Sequence, residues 1–142
     1  MNLLLDTHIW LWSLLDPDRL AANVASALVA HGVRLWLSPL SVWEASLLIE
    51  RGRLHVDAPA EEWLREALDL APFEEAPVTR EVAYASRRLK TPHRDPVDRF
   101  LAATAQVFDL TLVTADKHLL KTKGLRVLAN RSPRRPEPID KR

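Results

Sequence analysis

The stretch Asp95-Pro-Val-Asp-Arg-Phe-Leu-Ala-Ala-Thr-Ala-Gln-Val-Phe-Asp-Leu-Thr-Leu-Val-Thr-Ala-Asp116 decides the fold. Val97, Leu101, Ala105 and Phe108 recur at helical spacing and predict a helix over Pro96–Phe108. Asp95 suits its N-cap and Pro96 its first position. Thr111–Thr114 then forms an apolar run of strand length with little polar alternation, as expected of a strand buried on both faces. A helix running into such a strand is half of a βαβ unit.

The same alternation extends outward in both directions. Leu3–Leu5, Arg34–Leu37, a weaker run around Leu70–Phe73, and Arg126–Leu128 are the other strand candidates. Ile9–Leu15, Leu20–His31, Val42–Arg51, Ala60–Leu68, Arg80–Leu89 and Lys117–Leu120 are predicted helices. Gly32 and Gly52 stand where helix C-caps are expected. The prediction is an α/β, three-layer sandwich with a central, mostly parallel sheet of about five strands flanked by helices. At 142 residues the chain suits one domain, placed at 1–130. Residues 131–142 form a basic, proline-rich tail without periodic apolar residues and are expected to be mobile.

The chain has no cysteine, which excludes disulfides, thiolate metal sites and cysteine nucleophiles, so any metal must sit on oxygen or imidazole. The net charge of +1 is silent about partners. Met1-Asn-Leu-Leu-Leu-Asp6 has no basic segment before its apolar run, and the acid interrupts that run far short of a membrane span. A cytoplasmic location away from membranes is the expectation.

Four acids carry the functional reading, although each has an ordinary local explanation. Asp6 ends a strand candidate and could cap the helix after it. Glu44 follows Ser41 at capping-box spacing. Asp98 lies in the first turn of a helix already capped by Asp95, which leaves its own carboxylate available for another role. Asp116 lies between a strand end and a helix start. Together they fall at one edge of a parallel sheet, beyond the carboxyl ends of the strands, where ligands of such sheets bind. Carboxylates gathered there repel one another unless a cation neutralises them. Oxygen-only ligands favour Mg²⁺ or Mn²⁺, and such ions serve phosphodiester hydrolysis without a covalent nucleophile.

The segments Leu3-Leu-Leu-Asp6-Thr7-His8, Ser38-Pro-Leu-Ser-Val-Trp-Glu44, His93-Arg-Asp-Pro-Val-Asp98-Arg99-Phe-Leu-Ala-Ala-Thr-Ala105 and Leu112-Val-Thr114-Ala-Asp116 resemble, in order and spacing, PIN-domain proteins of the VapC toxin group. The resemblance runs from about residue 2 to residue 128. It implies a PIN-like sheet between helices and metal-dependent endonucleolytic cutting of RNA. It makes Asp6, Glu44, Asp98 and Asp116 the acidic quartet. Asp6 and Asp98 would be metal ligands, with Glu44 and Asp116 acting directly or through water. Thr7, Asp95, Arg99 and Thr114 are implied supporting residues. A cognate antitoxin that blocks the pocket, and a homodimer or higher complex with it, are implied partners.

Other residues admit two readings. Trp10, Trp12, Trp36, Trp43 and Trp63 suit core or interface packing better than base stacking. His8 and His93 are alternatives as ligands or proton carriers. Arg51, Arg53, Arg87, Arg88, Lys90 and Arg94 suit either a phosphate-binding rim or ordinary solvated helix faces. Two rival functions stay open: an acidic pocket that binds a basic peptide without catalysis, and a metal-dependent nuclease or phosphatase with a non-RNA substrate.

Overall fold

Three consecutive leucines organise the molecule. In the computed structural model, which describes residues 1–91 and 95–131, Leu3, Leu4 and Leu5 are each at most 1% exposed and belong to strand β1 (Asn2–Leu5). Side chains alternate along a strand, so the three divide between its faces. Leu3 and Leu5 pack with Ile9, Trp10, Val24, Leu64 and Val113; Leu4 packs with Leu101, Ala102, Ala105, Leu112 and Leu119. Burying each such leucine contributes about 1.5–3 kcal/mol. Only a sheet covered on both sides meets that demand, and the three-layer sandwich follows.

Strands β2 (Arg34–Leu37), β3 (Glu74–Glu75), β4 (Thr111–Thr114) and β5 (Val127–Ala129) join β1 in an all-parallel sheet of order β3-β2-β1-β4-β5. Leu4 pairs in register with Trp36 on one side and Leu112 on the other. Helices α1 (Thr7–Leu15), α2 (Ala22–Leu28), α3 (Pro39–Glu50) and α4 (Ala60–Leu70) contribute to the core on the Leu3 face. Helices α6 (Pro96–Val107) and α7 (Lys117–Leu120) cover the Leu4 face, and α5 (Arg80–Arg88) packs on α6 through Val82, Ala85 and Ala103. The chain runs outward from β1 to β2 and β3, then returns to place β4 against the other side of β1. The strand order therefore reverses between β1 and β4.

Several elements differ from the sequence expectation. The strand near Leu70–Phe73 lies instead at Glu74–Glu75: α4 runs on to Leu70, which is itself 84% exposed, and backbone pairing to β2 at a sheet edge needs no apolar side chain. Two exposed glutamates suit an edge, since charge there discourages pairing with another chain. The helix expected over Leu20–His31 is α2, shorter at both ends. It is preceded by a 3₁₀ turn at Pro17–Arg19, and the chain turns into β2 at Gly32, φ +79°. Gly52, φ +72°, follows the last residues of α3 in the left-handed conformation a helix terminus favours. Helix α3 begins at Pro39, three residues before the predicted start. Residues 132–142 of the basic segment, with His93 and Arg94, lie outside the described residues. Among the described residues no helix is long and apolar enough to cross a membrane.

Candidate active site

Asp6 is the residue after β1. Its amide donates to the carbonyl of Val113 on β4 (3.0 Å), and its own carbonyl accepts from Trp10, opening α1. In position it is the N-cap of α1, yet its side chain makes no cap hydrogen bond. Instead Oδ2 accepts the hydroxyl of Thr114, the last residue of β4, at 2.7 Å. The Thr114 oxygen in turn accepts the amide of Asp116 at 3.0 Å. An amide can only donate, so the single hydroxyl proton of Thr114 is directed at Asp6. The carboxylate is thereby held across the β1/β4 junction, with 2% of the residue exposed. This junction is where the strand order reverses, the crevice in which open parallel sheets bind ligands.

Asp98 reaches the same edge by a different route. Only Phe108–Leu110 separate α6 from β4, and Asp109, at φ +58°, makes the reversal. A helix of that length extends about 18 Å, so it must run antiparallel to β4 and return its first turn to the carboxyl edge. Asp95 caps α6, accepting from Val97 (2.9 Å) and Asp98 (3.4 Å), as its sequence position predicted. Asp98 is 2% exposed and sits in the first turn, where the helix dipole favours a negative charge.

Glu44 is no capping-box residue. Ser38 is the N-cap of α3, its hydroxyl accepting from Leu40 (3.0 Å), and Ser41 is already inside the helix. Ser41 is fully buried and accepts the Thr7 hydroxyl at 2.9 Å, which ties the start of α1 to α3. Glu44, one turn further on and half-buried, shares that helix face. Ser41 was missed as a partner of Thr7. The signal was present, since Ser38-Pro39 is an N-cap followed by proline at the first helical position. Asp116 is the N-cap of α7, with Oδ1 accepting from His118 (2.8 Å) and Leu119 (3.0 Å). It joins the site through its backbone bond to Thr114.

The remaining candidates separate. The Arg99 guanidinium donates to the carbonyls of Ser86 (2.7 Å) and Leu89 (3.5 Å), binding the first turn of α6 to the end of α5. Arg51 and Arg53 follow the far end of α3, at the opposite, amino edge of the sheet. The His8 ring packs edge-on against Trp12, with centroids 5.8 Å apart. Trp10 is fully buried, Trp12, Trp36 and Trp63 are half-buried, and Trp43 is exposed. Packing therefore accounts for four of the five tryptophans.

Among the described residues no three His, Asp or Glu side chains form a ready-made metal cage. The donors present are nonetheless those a hard cation uses. Carboxylate oxygens of Asp6, Asp98 and Glu44 are shielded from solvent, and thiolate is absent. Mg²⁺ ordinarily takes one or two carboxylates and keeps its waters, so such a set fits it without a cage.

The geometry thus defines an α/β domain with buried carboxylates at the switch point of a parallel sheet. Residues 3–125 match the PIN-domain family, and the chain belongs to it. It is 30% identical over 139 residues to Ribonuclease VapC22 of Mycobacterium tuberculosis, covering 97% of this chain and 96% of that protein. Its fold is similar to that in the crystal structure of VapBC2 from Rickettsia felis bound to a promoter DNA fragment, with a TM-score of 0.68 and 17% identity over 91% of this chain and 98% of the other. It is similar also to a toxin–antitoxin complex from Klebsiella pneumoniae, with a TM-score of 0.64 and 21% identity over 91% and 98%.

Proposed function

We propose that this protein is the toxin of a toxin–antitoxin pair, an endoribonuclease that hydrolyses RNA phosphodiester bonds with Mg²⁺ or Mn²⁺ and is restrained by a cognate antitoxin. The relative named a ribonuclease and the toxin–antitoxin complexes of like fold support this reading. The observation that carries it is the pair Asp6 and Asp98, each 2% exposed, the one directly after β1 and the other in the first turn of α6, the helix that leads into β4. Asp6 and Asp98 would hold the ion, with Glu44 and Asp116 assisting directly or through water. When bound, the ion neutralises charge on the phosphate and acidifies a water.

The protein's own part is positioning. Thr114 fixes the Asp6 carboxylate, and the amide of Asp116 fixes Thr114. The α6 dipole stabilises the Asp98 anion. Thr7 and Ser41 lock the helix that bears Glu44 to the one that follows Asp6. Residues 1–130 would form the nuclease, acting in the cytoplasm as a dimer or as a larger complex with its antitoxin, and 131–142 a basic extension.

The test is cleavage of a structured RNA pool by the purified protein with Mg²⁺, Mn²⁺ or EDTA, beside Asp6→Asn and Asp98→Asn variants checked for folding by circular dichroism. Metal-dependent cutting lost in both folded variants is expected. Equal weak cutting in every sample would overturn the proposal in favour of a pocket that only binds a basic peptide.

A further inference from the structure

We propose that the exposed end of α5, carrying Arg87, Arg88 and Lys90, is the surface that grips the phosphate backbone of single-stranded RNA as it enters the acidic cleft. This rests on the ribonuclease reading and adds to it the surface that holds the substrate. Arg99, the residue after Asp98, donates to the carbonyls of Ser86 and Leu89 and so pins the end of α5 to the turn that bears Asp98. On the other side, Thr122 Oγ1 lies 2.8 Å from Thr91 Oγ1 and 3.0 Å from the carbonyl of His118 in α7, the helix capped by Asp116. Segment 86–91 is therefore strapped between the helices that carry two of the four acids. Its three cations are all exposed, and among the described residues none pairs with a carboxylate, whereas Arg19, Arg34, Arg65 and Arg126 each do.

Charge supplies the need for such a surface. Residues 131–142 hold five cations and two acids, so a whole-chain net charge of +1 leaves residues 1–130 at −2, and the proposed site itself consists of acids. A polyanion approaching that body meets repulsion unless a local cluster reverses it. Guanidinium and ammonium groups on phosphates provide this without reading sequence.

The test uses the full chain with Arg87→Gln, Arg88→Gln and Lys90→Gln combined, and a control with Arg51→Gln and Arg53→Gln at the opposite edge of the sheet. Binding of a fluorescent single-stranded RNA in EDTA is measured across a salt series, and cleavage of the same RNA with Mg²⁺. Three lost phosphate contacts should reduce the slope of log affinity against log salt by roughly 2, and weaken low-salt binding by about tenfold or more. In cleavage the loss should fall on KM more than on kcat, and the control should match the unaltered chain. If the unaltered chain binds and cuts RNA but the triple variant keeps its slope and KM, the α5 surface is overturned and the ribonuclease reading stands. If the unaltered chain neither binds nor cuts, both fall together.

Discussion

The hydroxyl of Thr114 donates a 2.7 Å hydrogen bond to Oδ2 of Asp6, joining the ends of β4 and β1 at the one place where the sheet reverses its strand order. Both residues are buried, at 0% and 2% exposure. A buried carboxylate deprived of a donor loses about 1–3 kcal/mol. Thr114→Val, which keeps the shape and removes the hydroxyl, should lower RNA cleavage about 10- to 100-fold at about 1.4 kcal/mol per tenfold. Thr114→Ser should recover most of it. Comparable rates for Val and Ser in a cleavage assay would show that the hydroxyl does not position Asp6.

Metal binding has a readout that needs no catalysis. A ligand that binds only the folded state adds about 2.7 kcal/mol at a hundredfold excess over its Kd. Titrating Mg²⁺ or Mn²⁺ should therefore raise the melting temperature of the unaltered chain by about 5–10 °C, and Asp6→Asn and Asp98→Asn should flatten that response. An identical rise in both variants would place the ion elsewhere.

The two acids of the α6 first turn should behave oppositely. Asp95 accepts two backbone amides, so Asp95→Ala should destabilise the fold by about 1 kcal/mol, with Asp95→Ser close to neutral. Asp98→Asn should cost little stability and most of the activity. Urea denaturation beside a cleavage assay separates the roles.

Asn130 closes the carboxyl edge from the other side. Its Oδ1 accepts the amide of Ala21 at 2.6 Å, its Nδ2 donates to the carbonyl of Arg19 at 3.1 Å, and its own amide donates to Thr114. Asn130→Ala strands the buried Ala21 amide and should cost about 2–3 kcal/mol, read as a lower urea midpoint with an unchanged slope. A midpoint within error of the parent would mean that water replaces the side chain without loss.

The layered architecture was legible because strand and helix periods are local properties. Leu3–Leu5 and Thr111–Thr114 are too apolar for a surface strand, and Val97, Leu101, Ala105 and Phe108 describe one helical stripe. Asp95 was legible as a cap for the same reason, since a cap bonds to amides two and three residues away. Asp116, read in the sequence only as lying between a strand end and a helix start, is the N-cap of α7 in addition to its place beside Thr114. What defied local reading is bonded across the chain: Thr7 to Ser41, Ala21 to Asn130, Arg99 to the end of α5. Ser41 and Glu44 matched a capping box in spacing, but Ser38 had already started the helix.

By itself, the sequence determined the alternation of elements, the absence of soft metal ligands and four acids placed after strand candidates or at a helix start, because those follow from residue type and short-range spacing. Only the tertiary structure decided which strand neighbours which. The reversal between β1 and β4 turned Asp6 from a helix cap into a buried carboxylate held by Thr114, a bond between residues far apart in the chain. The same packing strapped the end of α5, with its exposed Arg87 and Arg88, between the turn that bears Asp98 and the end of α7, while Arg51 and Arg53 follow the far end of α3. The physical reason is that a hydrogen bond or a charge acts through space, and spatial neighbours are set by the burial of both sheet faces.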